Sequence, residues 1–487
     1  MRGTMLLLCL FVATAAAAVE LPQVDSESSR TPAPAKVQWR SAPADATTIT
    51  RLRYPEVPAQ RLAAMEKANA SRDARLRTPL QIGVGRVAPD AARLALHWQA
   101  HPAGGRTATV AITSPVAMGL RVGLDIDGLP AGAELRIRGS ELPLGEILLV
   151  TAAEIAASGT ADGLYWTPPT DGETQSIEIH VPRGGAVEGI RLAAPELSHL
   201  VTNSRRNFKI VEKIGESGSC NVDTACRVDT LGPSFAIAKN AVAHMVFNVF
   251  ATNGNLLGSY ICTGTLLNDT VAATQVPLFF SADHCFAGGS SGVPVQDRAK
   301  VAATLVTYWN YEATACGSGV STSRITLAGG ADLLFHDSNT DAMLLRLRSA
   351  APAGATFAGW DASALATGSD VVAIHHPSGD AKKVSFGVHL PTRSDADSHA
   401  AAWRVGTTEG GSSGSGLFTV GSDGQYRLRG GLYGGYASCA NSGNLANSEN
   451  IDWYSRLDVV YPQVRQWLAP VSTTPVRRNG SQPLRPR

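Results

Sequence analysis

The chain lacks any marked excess of charge of one sign. Lysine and arginine together number 42 against 41 aspartate and glutamate residues, so the formal net charge is +1. A binding surface for nucleic acid needs a basic patch, and a nearly neutral chain does not indicate one. We therefore predict no nucleic-acid partner, and nothing in the composition indicates an acidic partner either.

The chain also lacks a run of about 18 apolar residues, which a membrane-spanning helix needs. The longest apolar stretch covers residues 5–18, follows Arg2 and ends in four alanines. This pattern is typical of a secretory signal peptide cleaved near Ala18, and it is too short for a stable anchor. We predict that residues 1–18 are a signal peptide, that the protein is secreted, and that it has no membrane span.

Cysteine is absent between the predicted signal peptide, which contains Cys9, and Cys220. An even set of cysteines in an exported chain indicates three disulfides, and six cysteines allow 15 pairings. The six are Cys220, Cys226, Cys262, Cys285, Cys316 and Cys439. A cysteine-free half before a cysteine-containing half suggests a pro-region at 19–213 followed by a mature domain. The alternative is a secreted protein of two modules without processing.

The patterns along the chain predict a mostly β protein, since helix-favouring periodicity is scarce after residue 80. Residues 19–56 are rich in Pro, Ala and Ser without a periodic pattern, which indicates a loose linker. The sequence of residues 58–77 indicates an exposed helix. Alternating runs at 94–98, 108–113, 120–124 and 176–181 predict a small β-sandwich. Further strands are predicted at 244–250, 278–280, 300–309, 342–347, 371–374 and 429–433, with a helix at 461–468. Residues 469–487 are predicted to be disordered.

The glycine and serine run at 407–418 is typical of a reactive hydroxyl displayed on a tight turn before a buried strand. Glycine before the serine allows two backbone N–H groups to converge where an oxyanion would form. The run fits an elbow with Ser412 as nucleophile, but that arrangement needs a histidine later in the chain. No histidine follows His399, so any catalytic histidine must precede the serine.

Upstream of the run, His284 follows an apolar strand and stands beside Cys285, which could fix its backbone. Asp341 stands at the head of a buried strand, where its carboxylate is either solvated or bonded to an imidazole. Asp332 is an alternative carboxylate. A chain order of histidine, aspartate and serine is that of chymotrypsin-type double barrels.

Several short motifs resemble those of the bacterial lysyl endopeptidase family. They are Gly218-Ser-Cys220, Cys262-Thr-Gly-Thr-Leu, Ala282-Asp-His284-Cys285, Tyr308-Trp-Asn-Tyr311, Ala358-Gly-Trp-Asp361, Ala373-Ile-His-His-Pro377 and Gly411-Ser-Ser-Gly-Ser415. The resemblance implies an all-β fold in which a chymotrypsin-like double β-barrel at 214–468 follows a β-rich pro-region. It also implies the disulfides Cys220–Cys439, Cys226–Cys316 and Cys262–Cys285.

The resemblance further implies a role for each residue of the site. His284 would be the general base, Asp341 its orienting carboxylate and Ser413 the nucleophile. The N–H groups of Gly411 and Ser413 would form the oxyanion hole. No cofactor or metal is implied. His375 and His376 are adjacent on a predicted strand, point to opposite faces and are not expected to chelate a metal together.

The chain departs from the family pattern at several positions. Asp283 precedes the histidine, and Gly416 stands where a proline is expected. Ser412 replaces the aspartate with which trypsin-like zymogens bind a new amino terminus, so activation by that ion pair is not expected. The remaining departures are Tyr433, where the family has a histidine, and Trp403, which lies closer to the serine than expected.

Cleavage after lysine requires a carboxylate in the primary pocket, and trypsin-like enzymes carry it six residues before the nucleophile. Here that residue is Thr407. The segment that begins at Asn450 resembles the family's pocket segment, so we choose Asp452 and keep Glu449 as the alternative. Two rival functions stay open: cleavage after arginine or apolar residues, and an inactive barrel that serves as a binding module.

Maturation is predicted to follow from the same specificity. The boundary falls near Lys213, and an enzyme that cuts after lysine could make that cut itself, leaving Ile214 as the new amino terminus. The predicted partners are protein or peptide substrates and the protein's own pro-region, which would serve as a folding template or inhibitor. We predict a monomer.

Overall fold

The computed structural model describes residues 23–41, 48–70, 78–88, 93–141, 147–158, 163–203, 216–271, 273–287 and 297–470. The predicted signal peptide, the boundary at Lys213 and the predicted disordered tail beyond residue 470 lie outside the described residues. No helix in the described ranges is long and apolar enough to cross a membrane.

The N-terminal domain is a β-sandwich of two sheets around one apolar core. The first sheet runs Leu148–Thr151, Glu134–Gly139, Thr174–Val181, Arg106–Thr113 and Thr50–Arg53, with Gln99–Ala100 paired to Arg106–Thr113. The second runs Tyr165–Trp166, Gly119–Asp127, Arg191–Leu200 and Gly83–Val87, with Thr170–Asp171 paired to Gly119–Asp127. Alternate residues such as Val110 and Ile112 face Val122 and Leu124 across the core, which is the pattern that predicted strands here. The domain's helices are Ala59–Ala70 and Ala152–Ser158.

Two predictions for this half are wrong. Residues 94–98 do not form a strand; only an isolated bridge joins Arg93 to Ala193, and the strand that follows is Gln99–Ala100. Residues 19–56 are not a loose linker throughout, because Thr50–Arg53 is a parallel strand of the sandwich. The strands Gln23–Val24 and Glu27–Ser28 pair with the C-terminal half of the chain instead.

The first barrel of the C-terminal half is a curved antiparallel sheet. Its strands follow the order Ile325–Leu327, Val306–Trp309, Val242–Phe250, Leu256–Leu267, Leu278–Ala282, Ala342–Leu347 and Ala331–Asp337. Met245, Phe247 and Phe279 pack with Met343 and Leu345 in its interior. Because successive strand residues point to opposite faces, alternate apolar residues fill this core.

The second barrel closes on itself. Its six strands are Gly416–Val420, Asp370–His375, Lys383–His389, Ser398–Val405, Asp452–Ser455 and Tyr426–Gly435, and the last pairs with the first. Val222–Asp223 and Gly359–Asp361 add to its sheet, and Thr356–Phe357 lies between the barrels in sequence. A shared apolar cluster joins the barrels through Phe280 and Leu344 of the first and Ile374 and Phe418 of the second.

Helices and turns complete the C-terminal half. The helices are Val228–Asn240, His284–Ala287, Arg298–Ala302 and Leu457–Leu468, and the 3₁₀ turns are Thr224–Cys226, Pro377–Gly379 and Pro391–Arg393. The strand predicted at 300–309 is wrong in its first half, because the Asp297 side chain accepts a hydrogen bond from the N–H of Ala299 and caps a short helix there. The closing helix is present and begins four residues before its predicted start.

The architecture is therefore a chymotrypsin-like double β-barrel preceded by a β-rich domain. The two halves are in direct contact: Leu80–Gln81 pairs with Tyr260 and Ile261 on the first barrel. The buried Arg121 side chain of the N-terminal domain donates to the carbonyl of Thr304, and Ser198 bonds Ser259 at 2.9 Å. Burial lowers the pKa of Arg121 to about 10.

Candidate active site

His284 and Asp341 meet at the ends of two paired strands. Leu278–Ala282 ends just before His284, Ala342–Leu347 begins just after Asp341, and Ala282 pairs with Ala342. His284 Nδ1 lies 2.7 Å from Asp341 Oδ2, and the backbone N–H of His284 donates to Oδ1 at 2.8 Å. An ionised carboxylate can only accept, so the proton lies on Nδ1 and Nε2 is the basic nitrogen. Both side chains are buried.

A disulfide and a backbone hydrogen bond bring Ser413 to the same place. Cys285, next to His284, is bonded to Cys262, and the N–H of the following Thr263 donates to the carbonyl of Ser413 at 2.8 Å. Gly414 has φ +80°, and a Cβ there would lie 2.1 Å from Ser281 Oγ. Only glycine permits so close an approach in this conformation.

The turn at Ser413 leaves two N–H groups unused. Within the described chain, the N–H groups of Gly411 and Ser413 have no hydrogen-bond acceptor. The intervening and following N–H groups of Ser412, Gly414 and Ser415 donate to the carbonyls of Glu409, Leu432 and Ser412. Thr263 Oγ1 donates to the Gly411 carbonyl at 2.8 Å and fixes that peptide. Two unused donors on a rigid turn can stabilise an oxyanion.

The ring of His284 retains a basic nitrogen for proton transfer. Nε2 is buried and has no hydrogen-bond partner among the described residues, so the Ser413 hydroxyl is not bonded to it here. Such bonds are often long before substrate binds. Ser413 is partly exposed, whereas Ser412 is fully buried.

Ser412 has a different histidine partner. Its Oγ lies 2.7 Å from Nδ1 of His375, whose Nε2 lies 3.1 Å from Ser385 Oγ. The N–H of Glu409 also donates to Ser412 Oγ at 3.2 Å. Burial lowers the pKa of His375 to about 3, so this ring is neutral. The site therefore contains two adjacent serines, one inside the fold and one at its surface.

Asp452 is a buried carboxylate, and no ion pair with it is found among the described residues. Its Oδ2 accepts hydrogen bonds from Trp403 Nε1 at 2.6 Å and Thr408 Oγ1 at 2.7 Å. Burial raises the pKa of Asp452, although these two donors oppose the shift. Glu449, the alternative, is exposed. An unpaired carboxylate inside a fold is costly unless a cation is brought to it.

Sequence reasoning missed the role of Thr408 and Glu409. Thr408 joins Asp452 to the turn that carries Ser413, and only the contact across 44 residues reveals it. The Glu409 carboxylate accepts hydrogen bonds from the N–H of Gly218 at 2.8 Å, from Asn221 Nδ2 at 2.7 Å and from Ser378 Oγ at 2.6 Å. Glu409 therefore connects the start of the C-terminal half to the same turn.

The remaining candidate residues lie elsewhere. Asp332 pairs with Arg346 and Arg348, which makes it a poor alternative to Asp341. His376 Nδ1 lies 2.9 Å from the carbonyl of Asp380, so His375 and His376 have separate partners. The departures Asp283 and Trp403 are both buried and hydrogen-bonded, Asp283 to Arg298 and Trp403 to Asp452, while Tyr433 is half-buried on the strand Tyr426–Gly435.

The six cysteines form three disulfides. They join Cys220 to Cys439, Cys226 to Cys316 and Cys262 to Cys285, the pairs that the family resemblance implies. The sulfur atoms of Cys262 and Cys285 lie within 4.8 Å of a His284 nitrogen, which resembles a metal site. Because both sulfurs are in a disulfide, neither is a thiolate, and this cluster offers a metal only the histidine.

The double barrel, with His284, Asp341 and Ser413 brought to one place, indicates the class of serine endopeptidases. Comparison with family models identifies residues 214–455 as a lysyl endopeptidase C-terminal domain and residues 53–201 as a lysyl endopeptidase N-terminal domain. A lysyl endopeptidase from Pseudomonas aeruginosa is 37% identical over 406 residues, which cover 81% of this chain and 82% of that protein. The chain belongs to the lysyl endopeptidase family.

Solved structures similar to this chain include the Rv3671c protease of M. tuberculosis. Its active form matches with a TM-score of 0.30 and 16% identity, covering 53% of this chain and 91% of that one. Its inactive form matches with a TM-score of 0.28 and 15% identity, covering 48% and 92%. The family assignment depends on the family models and the sequence relative, since these structural overlaps are low.

Proposed function

We propose that this serine endopeptidase is secreted and cuts peptide bonds after lysine through an acyl-enzyme. Asp452 carries the proposal of lysine specificity. It is buried, its pKa is raised by desolvation, and it lies one hydrogen bond from Thr408, five residues before Ser413. The ammonium group of a substrate lysine would supply the missing cation. Arginine is the rival, because a carboxylate also attracts a guanidinium group.

In the proposed mechanism, the Ser413 hydroxyl attacks the carbonyl carbon of the substrate lysine itself, whose bond to the next residue's nitrogen is then broken. His284 Nε2 takes the hydroxyl proton, and Asp341 holds the ring through Nδ1–H. The N–H groups of Gly411 and Ser413 stabilise the oxyanion. His284 then gives the proton to the leaving amine, and water hydrolyses the acyl-enzyme with His284 again as base.

We also propose that residues 19–213 act as a pro-region. Contacts at the first barrel support a restraining role, since Leu80 pairs with Ile261 and the N–H of Ile82 donates to the carbonyl of Ser259. Ile261 directly precedes Cys262 and Thr263. Cys262 forms the disulfide with Cys285, next to His284, and Thr263 donates a hydrogen bond to the carbonyl of Ser413. Cleavage near Lys213 would allow this domain to leave. We propose a monomer, with protein or peptide substrates and no cofactor.

A digest of an unfolded protein tests the specificity most directly. The purified enzyme should release peptides that end in lysine, read by mass spectrometry. Cuts mainly after arginine or apolar residues would favour the first rival function. A fluorophosphonate probe separates the enzyme from an inactive binding module, because only an activated serine is labelled; Ser413→Ala is the matched control and should stay unlabelled.

A further inference from the structure

Residues 23–31, which we name the N-terminal strap, lie extended along the C-terminal half of the chain. Gln23 and Val24 pair with Asp361 and Trp360, and Glu27 and Ser28 pair with Phe357 and Thr356. The strap thus adds a discontinuous strand to residues 356–361, the connection between the two barrels, which we name the linker edge. At the end of this pairing, the N–H of Ser29 donates to the carbonyl of Ala355 at 2.8 Å.

Side chains of the C-terminal half form hydrogen bonds with the strap, mostly with its backbone. Gln275 Nε2 donates to Glu27 Oε1 at 2.8 Å and to the carbonyl of Ser28 at 2.9 Å, and Gln275 Oε1 accepts from the N–H of Arg30 at 2.9 Å. Asn268 Nδ2 donates to the carbonyl of Asp25 at 2.9 Å. All three hydrogen bonds of Gln275 go to the strap, so this side chain has no described role within the barrel.

Charge and close packing complete the contact. Arg427, which is largely buried, bonds Asp25 at 2.5 Å and also pairs with Asp423. The N–H of Gly359 donates to Ser26 Oγ at 2.9 Å, and a Cβ on Gly359 would lie 2.4 Å from the carbonyl oxygen of Val24. A side chain at Gly359 would therefore exclude the strap.

The strap is one of several separate attachments between the N-terminal part of the chain and the C-terminal half. The same N-terminal domain pairs through Leu80–Gln81 with Tyr260 and Ile261 on the first barrel. In the described structure the strap makes no hydrogen bond or ion pair with His284, Asp341 or Ser413. Linked contacts raise each other's effective concentration. Loss of one therefore weakens the binding of the whole N-terminal domain by more than the binding free energy of that contact alone.

We propose that the linker edge and Gln275 form a peptide-docking site whose occupant is the strap. Docking of the strap keeps the N-terminal domain bound to the protease after the chain is cut between them. Addition of an extended peptide to a strand edge is an established mode of recognition, in which main-chain hydrogen bonds supply the affinity. Release of the N-terminal domain then requires the strap to leave or to be trimmed. The role of the strap in maturation rests on the proposed cut near Lys213. The binding of the strap to the linker edge does not depend on that cut.

The test uses the full chain with Ser413→Ala and a recognition site for an added protease inserted within 204–215. After that cut, dissociation of the two chains on dilution is followed by size exclusion. Gln275→Ala should raise the dissociation constant about 10-fold or more, as expected for three lost hydrogen bonds. Deletion of residues 23–31 should raise it further. Pro32→Ala, at the exposed residue after the strap, is the control and should leave it unchanged.

A second measurement covers the case in which the deletion prevents folding. A labelled peptide of residues 23–31 should bind the cut Ser413→Ala protein that lacks its own strap, and Gln275→Ala should weaken that binding. If the deletion variant does not fold, the dissociation constant of the Gln275→Ala complex decides alone. A change smaller than twofold for Gln275→Ala would overturn the proposal, whatever the peptidase activity of the wild-type enzyme.

Discussion

The hydroxyl oxygen of Ser412 lies 2.7 Å from Nδ1 of His375, and both side chains are fully buried. The next residue, Ser413, is partly exposed, and its carbonyl accepts from the N–H of Thr263. One turn therefore places two consecutive hydroxyl groups in different environments. His375 is the partner of Ser412 and is fully buried in the second barrel, whereas His284 is the candidate base for Ser413.

We expect Ser413→Ala and His284→Ala each to reduce kcat by about 10⁴-fold or more, since members of a triad act as a unit. Ser412→Ala should keep most of the activity of the folded enzyme. It should lower the free energy of unfolding by about 1 to 3 kcal/mol, because His375 Nδ1 loses its partner inside the fold. Activity is measured by steady-state hydrolysis of a lysine peptide substrate and stability by urea unfolding. Loss of activity in folded Ser412→Ala, with Ser413→Ala active, would reverse the assignment.

Asp452→Asn should lower kcat/KM for lysine substrates by roughly 30-fold to several thousand-fold, the range for losing one partner of a buried charge pair. Cleavage after an uncharged residue should change much less. Glu449→Gln is the matched control, because that carboxylate is exposed and should not affect lysine preference. Peptide substrates that differ only at the residue before the cut provide the measurement. Full lysine preference in Asp452→Asn would exclude this residue from the pocket.

Lysine preference should weaken as the pH falls. The pKa of Asp452 is raised by burial, so its carboxyl group takes up a proton at a higher pH than an ordinary aspartate. The protonated group no longer attracts an ammonium. The ratio of kcat/KM for lysine over an uncharged isostere cancels the titration of shared catalytic groups and should decline toward acid pH. In Asp452→Asn this ratio should be flat, and a flat ratio in the wild type would contradict the prediction.

Acid should destabilise the fold through its buried neutral histidines. The pKa values of His375 and His244 are lowered to about 3 by burial, below the ordinary value near 6.5. A lowered pKa means that the stability is complete above the unfolded-state value and is lost as the pH falls below it. At pH 5 the loss is roughly 2 kcal/mol for each histidine.

Urea midpoints of the Ser413→Ala protein at pH 7 and pH 5 measure this loss. His375→Asn should show a smaller difference between the two pH values, even if its stability at pH 7 is lower. The prediction fails if the midpoint is the same at both pH values, or if His375→Asn leaves the difference unchanged.

Maturation should depend on the enzyme's own activity. The Ser413→Ala protein should remain at full pro-length, and Lys213→Gln should block or displace the cut in the active enzyme. Amino-terminal sequencing of the secreted product locates the cut. An inactive protein, purified away from host proteases, that still begins at Ile214 would show that another protease makes the cut.

Local sequence signals predicted many of the strands, and together with the family resemblance they led to the candidate site residues. His284 and Asp341 flank strands with strong apolar patterns, and the sheet brings those strand ends together. The glycines around Ser413 indicate the tight turn in the same way, since a side chain at Gly414 would meet Ser281. The local structure at these residues is determined by the residues next to them in the sequence.

Other features depend on contacts that are distant in sequence. The strap is polar and has no alternation; it is extended because the linker edge offers unpaired backbone groups, about 330 residues away in the chain. The segment Val228–Asn240 contains Gly232 and Pro233, and the backbone of Gly232, with φ +74°, is not helical, so two short helices meet there. The hydrogen bond from Trp403 to Asp452 has no local signal at all.

The Cys262–Cys285 disulfide ties the catalytic geometry to the redox state of the compartment in which the chain resides. In a reducing cytosol the two thiols would stay apart, and the backbone beside His284 would lose a covalent link to the strand that holds Ser413. We expect newly made chains to be poor peptidases until they reach an oxidising space. Formation of the disulfide would then delay peptidase activity until the chain has left the cytosol, and the proteins of the producing cell would be protected from cleavage.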